Sequence, residues 1–284
     1  MTKSFLEKLM IIGRCIQETF NESEDEQEVF ELEYRKKIEK QKFLFEVEKQ
    51  KEIEEQKLLF NNMFARAIFI LENAKPDESA YSDPDYKHPI FSYIKVLGLS
   101  IQTKYITNII YGRAPQRGPE FIEFFNFFHL FNGQTLWDIV EKTKIPSLEE
   151  DVKLKKDVKL ARDLILPCPW NHIKFTDALI KIGQHNTSKA WKQDSNHDIY
   201  LMQPVGVCCV NSGNHSIMAG IVKGEGIITK YEMIDIRPLY SLMYSDGVNY
   251  YRKADDTILE AVGNVEFAVI FEIGRKLNEL NISW

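Results

Sequence analysis

A chain of 284 residues with 44% hydrophobic, 12% aromatic and 27% charged side chains has enough apolar surface for one large core or two modest ones, which excludes a disordered or fibrous protein. The formal net charge of -6 makes the average surface field repel polyanions, so nucleic acid is a disfavoured partner, and the mixing of Lys and Arg with acids excludes a polybasic membrane anchor. The four cysteines, Cys15, Cys168, Cys208 and Cys209, are too few and too unevenly spaced for a disulfide framework or a paired-CxxC zinc site. No segment reaches the ~20 apolar residues of a membrane helix, so no membrane contact and a cytoplasmic address are expected.

In chain order, the stretch from Glu22 to Asn73 lacks Gly and Pro and is dominated by Glu, Lys and Gln, which predicts one long helix or two with a small break. Phe30, Tyr34, Ile38 and Phe45 give it an apolar stripe that Glu52 interrupts before Leu59, so it reads as an edge helix or a self-association element, not a sustained coiled coil. From Leu58 to Leu71 the pattern is apolar nearly all round, which predicts burial of that end. Pro76, Pro84 and Pro89 then mark a loop. Apolar density predicts helices at 90–111 and 119–131, with His129 read as a core histidine, and a charged helix at 147–164. This gives an α-helical region at 1–160.

Pro167 and Pro169 end that texture, and a short helix is predicted from Phe175 to Ile182. The polar segment 183–198 reads as a long surface loop that could cover a site. Val205–Val210 is a continuous apolar run, read as a buried strand that holds Cys208 and Cys209 as inert small apolar residues. Asn211-Ser212-Gly213-Asn214-His215-Ser216 makes a turn into a short helix stopped at Gly224. The run from Ile227 to Ile236 reads as one strand with Ile227, Tyr231 and Met233 on one face. A hairpin turning at Asp246-Gly247 and a helical segment at 257–280 complete the chain.

A buried strand that delivers a tight Gly turn into a helix leaves backbone N–H groups unpaired at the positive helix end, a ready place for an anion. Gly213 permits the sharp turn, Ser212, Asn214 and Ser216 supply polar side chains, and His215 beside the helix start is expected neutral, as a ligand contact or a base. No Walker-type loop, His-Glu-x-x-His or Gly-x-Ser-x-Gly is present, and the spacing of the acidic residues suggests no metal site.

The segment Gln203 to Ile236, with its core of Gly213, His215, Ile217 and Ala219, resembles the signature of the ParB/sulfiredoxin-like fold. The resemblance implies a small mixed α/β domain over 161–284, making the whole chain α+β, in which Pro204 begins a strand and Asp235 ends its neighbour. It implies a nucleotide, with Mg²⁺, or another phosphate-containing ligand at Gly213, Asn214, His215 and Ser216, with phosphoryl transfer or hydrolysis assisted by His215. Asn214 stands where sulfiredoxins carry their reactive cysteine, and an amide is no nucleophile, so sulfiredoxin chemistry is not implied. Ser216 stands where many members carry a phosphate-binding arginine. Two alternatives remain open: a non-catalytic regulatory or interaction protein of a mobile-element or phage-related system, and a ParB-like nuclease using a divalent metal.

Overall fold

The structure, a computed structural model, describes residues 24–77, 79–80, 83, 86–112, 135–143, 156–187 and 189–284, with side chains from residue 32 onward. The helix expected at 119–131, His129, Cys15 and the first half of the helix expected at 147–164 lie outside these residues, as does the side chain of Phe30. The fold is mixed α+β, with a long N-terminal helix and a β-rich C-terminal region. Two compact units divide the chain, Met1–Gln56 and Lys57–Trp284.

The described part of the first unit belongs to α1, Glu24–Asn73, an uninterrupted helix as its composition predicts. Pairs one turn apart run along its surface: Lys51 with Glu55 at 3.8 Å, and Gln50 donating to Glu54 at 3.1 Å. Tyr34 and Ile38 are half-exposed, whereas Phe43, Leu44 and Val47 are exposed.

Within the second unit, the remainder of α1 buries Phe60 and Ala67 but leaves Leu58, Leu59 and Phe69 exposed. The expectation of an apolar end buried all round is corrected: one face is buried. Helix α2, Ile90–Ile110, buries Ile90, Ile94, Leu97 and Ile101, the helical spacing that lets it pack against the strand Leu164–Leu166 and the helix Val265–Glu279. A short α3, Leu136–Val140, is capped by Thr135, whose hydroxyl accepts from the Asp138 N–H while Asp138 takes the Thr135 N–H.

The central sheet has the order β2-β4-β3-β6, from β2 (Leu164–Leu166), β3 (Asp198–Gln203), β4 (Val207–Ser212) and β6 (Glu232–Asp235). Strands β2 and β4 are parallel, β3 and β4 antiparallel, and β3 and β6 parallel. Because β2 is an edge strand, its outward backbone needs partners, and the buried Gln102 amide of α2 donates to the Ile165 carbonyl at 3.2 Å. A two-stranded ladder joins β1 (Val158–Lys159) to β5 (Ile227–Ile228), and β7 (Met243–Ser245), β8 (Asn249–Arg252) and β9 (Ile258–Ala261) form an antiparallel sheet. Helices α4 (His172–Lys181), α5 (Asn214–Lys223) and α6 (Val265–Glu279) complete the unit, with α4 against α5 and α6 against α2.

Several expectations are corrected by this pairing. Residues 156–164 are not helical, because Val158 pairs with Ile228 and Leu164 with Val207. Gln203-Pro204-Val205-Gly206 turns a hairpin between β3 and β4, so Pro204 does not open a strand. The run from Ile227 to Ile236 is broken into β5 and β6, with Ile227 exposed and Tyr231 and Ile234 buried. Residues 258–261 are strand, held by β8, ahead of the helix expected there. The hairpin at Asp246-Gly247 and the helix stop at Gly224, φ +65°, are as expected.

Candidate functional site

Strand β4 ends at Ser212, which is exposed, and the chain turns at Gly213 into α5. Gly213 has φ +86°, and a Cβ there would lie 2.1 Å from Cδ2 of His197, so both the backbone and its neighbour require glycine. The neighbouring parallel strand β2 ends two residues before Cys168, and the chain then enters α4 through Pro169, Trp170 and Asn171. Two helix N-termini therefore lie side by side at the carboxyl ends of adjacent parallel strands, the crevice where open α/β sheets take ligands.

Side chains of one turn lock onto the backbone of the other. The Asn214 side-chain oxygen accepts from the Cys168 N–H at 2.6 Å, and its amide donates to the Asn211 carbonyl at 3.4 Å. Nε2 of His215 accepts from the Asn171 N–H at 3.3 Å, while its ring stands edge-on to Trp170 with centroids 5.3 Å apart. With Nε2 accepting, Nδ1 carries the proton of the neutral ring. Burial, reinforced by the Lys174 charge, holds His215 below the usual imidazole range, so the neutral ring expected from the sequence follows chiefly from desolvation.

Ser216 faces inward. Its hydroxyl donates to the Gly213 carbonyl at 3.0 Å and lies 2.7 Å from Nε2 of His197. Nδ1 of His197 accepts from the Asp194 N–H at 2.8 Å, so Nε2 is the protonated nitrogen and donates to Ser216. The His197 ring stacks on Trp191 at 5.1 Å, and the Trp191 indole donates to the Ser216 carbonyl at 2.9 Å. The segment 183–198 is thus more than a surface loop: it inserts the buried Trp191 and braces the turn from behind with His197.

What remains for a ligand is backbone and charge. The N–H groups of His172, Ile173, Asn214, His215 and Ser216 find no acceptor among the described residues. Neither α4 nor α5 has an acidic residue in its first turn, although α3 and α6 carry Asp138 and Glu266 there. Instead Lys174 stands in the first turn of α4, its ammonium 4.3 Å from the centroid of the exposed Trp170 ring. Among the described residues, no three His, Cys, Asp or Glu side chains are grouped to hold a metal ion.

A family model matches residues 17–284. The chain belongs to DUF6710, a family of unknown function. No curated protein and no solved structure matches it. In this DUF6710 chain the sequence-predicted residues Ser212, Gly213, Asn214, His215 and Ser216 all lie at one turn, but the side chains of Asn214 and Ser216 are occupied internally. Sequence reasoning missed Trp170, Asn171 and Lys174 from the neighbouring turn and the bracing role of His197. Pro167 and Pro169, read only as breakers, were the signal that a second strand-to-helix turn begins there. The described residues contain no helix long and apolar enough to cross a membrane.

Proposed function

We propose that residues 161–284 form a ParB/sulfiredoxin-like domain that binds a phosphate-containing ligand, a nucleotide in the first instance, at the paired N-termini of α4 and α5. The observation that carries this reading is the set of five N–H groups without acceptors, on two adjacent helix starts lacking acidic residues and bearing Lys174. Each helix start contributes about 0.3–1 kcal/mol toward an anion at an exposed site, and Lys174 adds a mobile point charge. A cation in a helix's first turn is unfavourable on its own, and a bound phosphate reverses that sign. Nucleotide with Mg²⁺ remains the preferred form of the ligand, the metal arriving on the phosphates.

His215 enters as a contact, not as a general base. Its Nε2 lone pair is occupied by the Asn171 N–H, and Nδ1 carries a proton that can be donated to a phosphate oxygen. That geometry favours binding without hydrolysis, and with it the regulatory alternative over phosphoryl transfer. The exposed apolar residues of α1 before Gln56 are assigned to self-association.

The test is a thermal-shift and calorimetric panel of ATP, ADP, GTP, CTP and inorganic phosphate, with and without Mg²⁺. A ligand at 100 times its Kd adds about 2.7 kcal/mol to stability. Lys174→Glu, at an exposed position, should keep the melting temperature and weaken binding by about ten- to hundredfold. Absence of a shift across the panel in the native protein would overturn the reading.

A further inference from the structure

Trp137, Trp170, Trp191 and Trp284 are the tryptophans of the chain, and three of them are packed into the fold. Trp191 and Trp284 are 6% and 7% exposed, the first stacked on His197 and the second turned to Lys87, and Trp137 is half-buried and edge-on to Tyr200 at 5.6 Å. Trp170 differs. It is 56% exposed, and Ile173, one helical turn on, is 66% exposed. An indole left in water beside a polar turn calls for a reason, because aromatic side chains have the most to gain from burial.

The ring is held in place all the same. Pro169 before it is buried, and the N–H groups of Cys168 and Asn171 on either side are tied to Asn214 and His215 of α5. The His215 imidazole meets the indole edge-on, with the ring planes 76° apart. Backbone and ring are thus fixed from the neighbouring helix, and a ligand that lies on the indole does not have to order it first.

The cover on the face of that ring is a flexible one, Lys174, whose Nζ lies 4.3 Å from the centroid. Lys174 also belongs to the helix start whose N–H groups begin at His172, two residues after Trp170. A phosphate bound there attracts the ammonium more strongly than an aromatic face does at an exposed position. As the ammonium turns to the phosphate, the indole face is freed within reach of whatever the phosphate carries.

We propose, on the basis of the phosphate site at the starts of α4 and α5, that the face of Trp170 is the base platform of that site and that the ligand is a purine nucleotide. Its phosphates lie on the backbone N–H groups, and its base stacks on the indole. Stacking accepts every base, since each has a π face, and its strength follows the overlap, so purines rank above pyrimidines. Phosphate or polyphosphate alone fills only half of the site.

Isothermal titration calorimetry on the full chain with Mg²⁺, using ATP, CTP and tripolyphosphate as probes, tests the platform. ATP should bind about tenfold or more tightly than tripolyphosphate, with CTP between them. Trp170→Ala, at an exposed position, should bring ATP down to the affinity of tripolyphosphate without weakening tripolyphosphate itself, whereas Lys174→Glu should weaken all three. Trp170→Phe should keep part of the ATP advantage, and it decides the matter if Trp170→Ala does not fold. Fluorescence gives a second readout: ATP should quench the native tryptophan emission more than tripolyphosphate does, and Trp170→Phe should erase that difference. Tripolyphosphate bound as tightly as ATP, ATP undiminished in Trp170→Ala, or both ligands weakened alike by that variant would overturn the platform and leave the phosphate site standing. CTP bound more tightly than ATP would overturn the purine assignment, and binding of none of the three would overturn platform and phosphate site together.

Discussion

His197 ties the candidate turn to pH. Its Nδ1 accepts the Asp194 N–H and its Nε2 donates to Ser216, so a second ring proton would have to displace the Asp194 bond. Burial holds its pKa below the ordinary 6.5 against the pull of Asp194, and His215 and His88 are lowered by burial as well. As pH falls through 6.5 the unfolded chain takes up these protons before the folded one does, so stability present above that pH is lost below it. Differential scanning calorimetry should show the melting temperature falling between about pH 7 and pH 5.5, with a shallower fall in His197→Gln, whose amide does not titrate. A native protein with no such fall would remove the role given to the neutral ring. At the same turn, Gly213→Ala should cost about 1–3 kcal/mol, since the methyl group meets the His197 ring and φ is +86°. A stability change under about 0.5 kcal/mol, the size of an ordinary surface substitution, would show that the ring moves aside freely.

Helix α6 is fastened to the β7–β9 sheet by one buried charge pair. Glu272, 8% exposed, accepts from the Ser245 N–H at 2.9 Å and from Arg275 Nε at 2.7 Å, while Arg275 also donates to the carbonyls of Tyr240 and Met243. Arg275→Met strips two carbonyls and leaves a buried carboxylate without its cation, so chemical denaturation should report a loss of about 3–5 kcal/mol. Glu272→Met/Arg275→Met should recover part of that loss, and a double variant worse than Arg275→Met would contradict this account. Elements of this kind show what was legible beforehand. The β4–Gly213–α5 unit was readable because an apolar run, a glycine turn and a glycine stop fall within some twenty residues, all of them local signals. Strands β1 and β2 were not, because the run leading into Leu164 has helical charge density, and Val158, Lys159 and Leu164 are extended only through partners at Ile228, Ile227 and Val207. The same holds for side-chain contacts: Gly213 to Ser216 were visible as one motif, whereas Lys174 reaches the turn through packing, and Lys87 meets Asp163 across 76 residues of chain.

Among the described residues, the buried core runs from Phe60 to Trp284, and the candidate turn draws only on residues after Lys57. A protein comprising 57–284 should therefore unfold in one cooperative calorimetric transition of its own. Upstream, α1 carries Phe43 at 64%, Leu44 at 56% and Val47 at 51% exposure, a set of apolar side chains whose burial against a second copy is favourable. Sedimentation velocity at about 100 µM should find the full chain associated and 57–284 monomeric; burying three such side chains per copy contributes on the order of 5 kcal/mol before association costs. A full chain that sediments as a monomer would withdraw the assembly role from α1. Nucleotide binding should survive the truncation unchanged, and a folded, monomeric 57–284 that had lost it would contradict the placing of the candidate turn within the second unit.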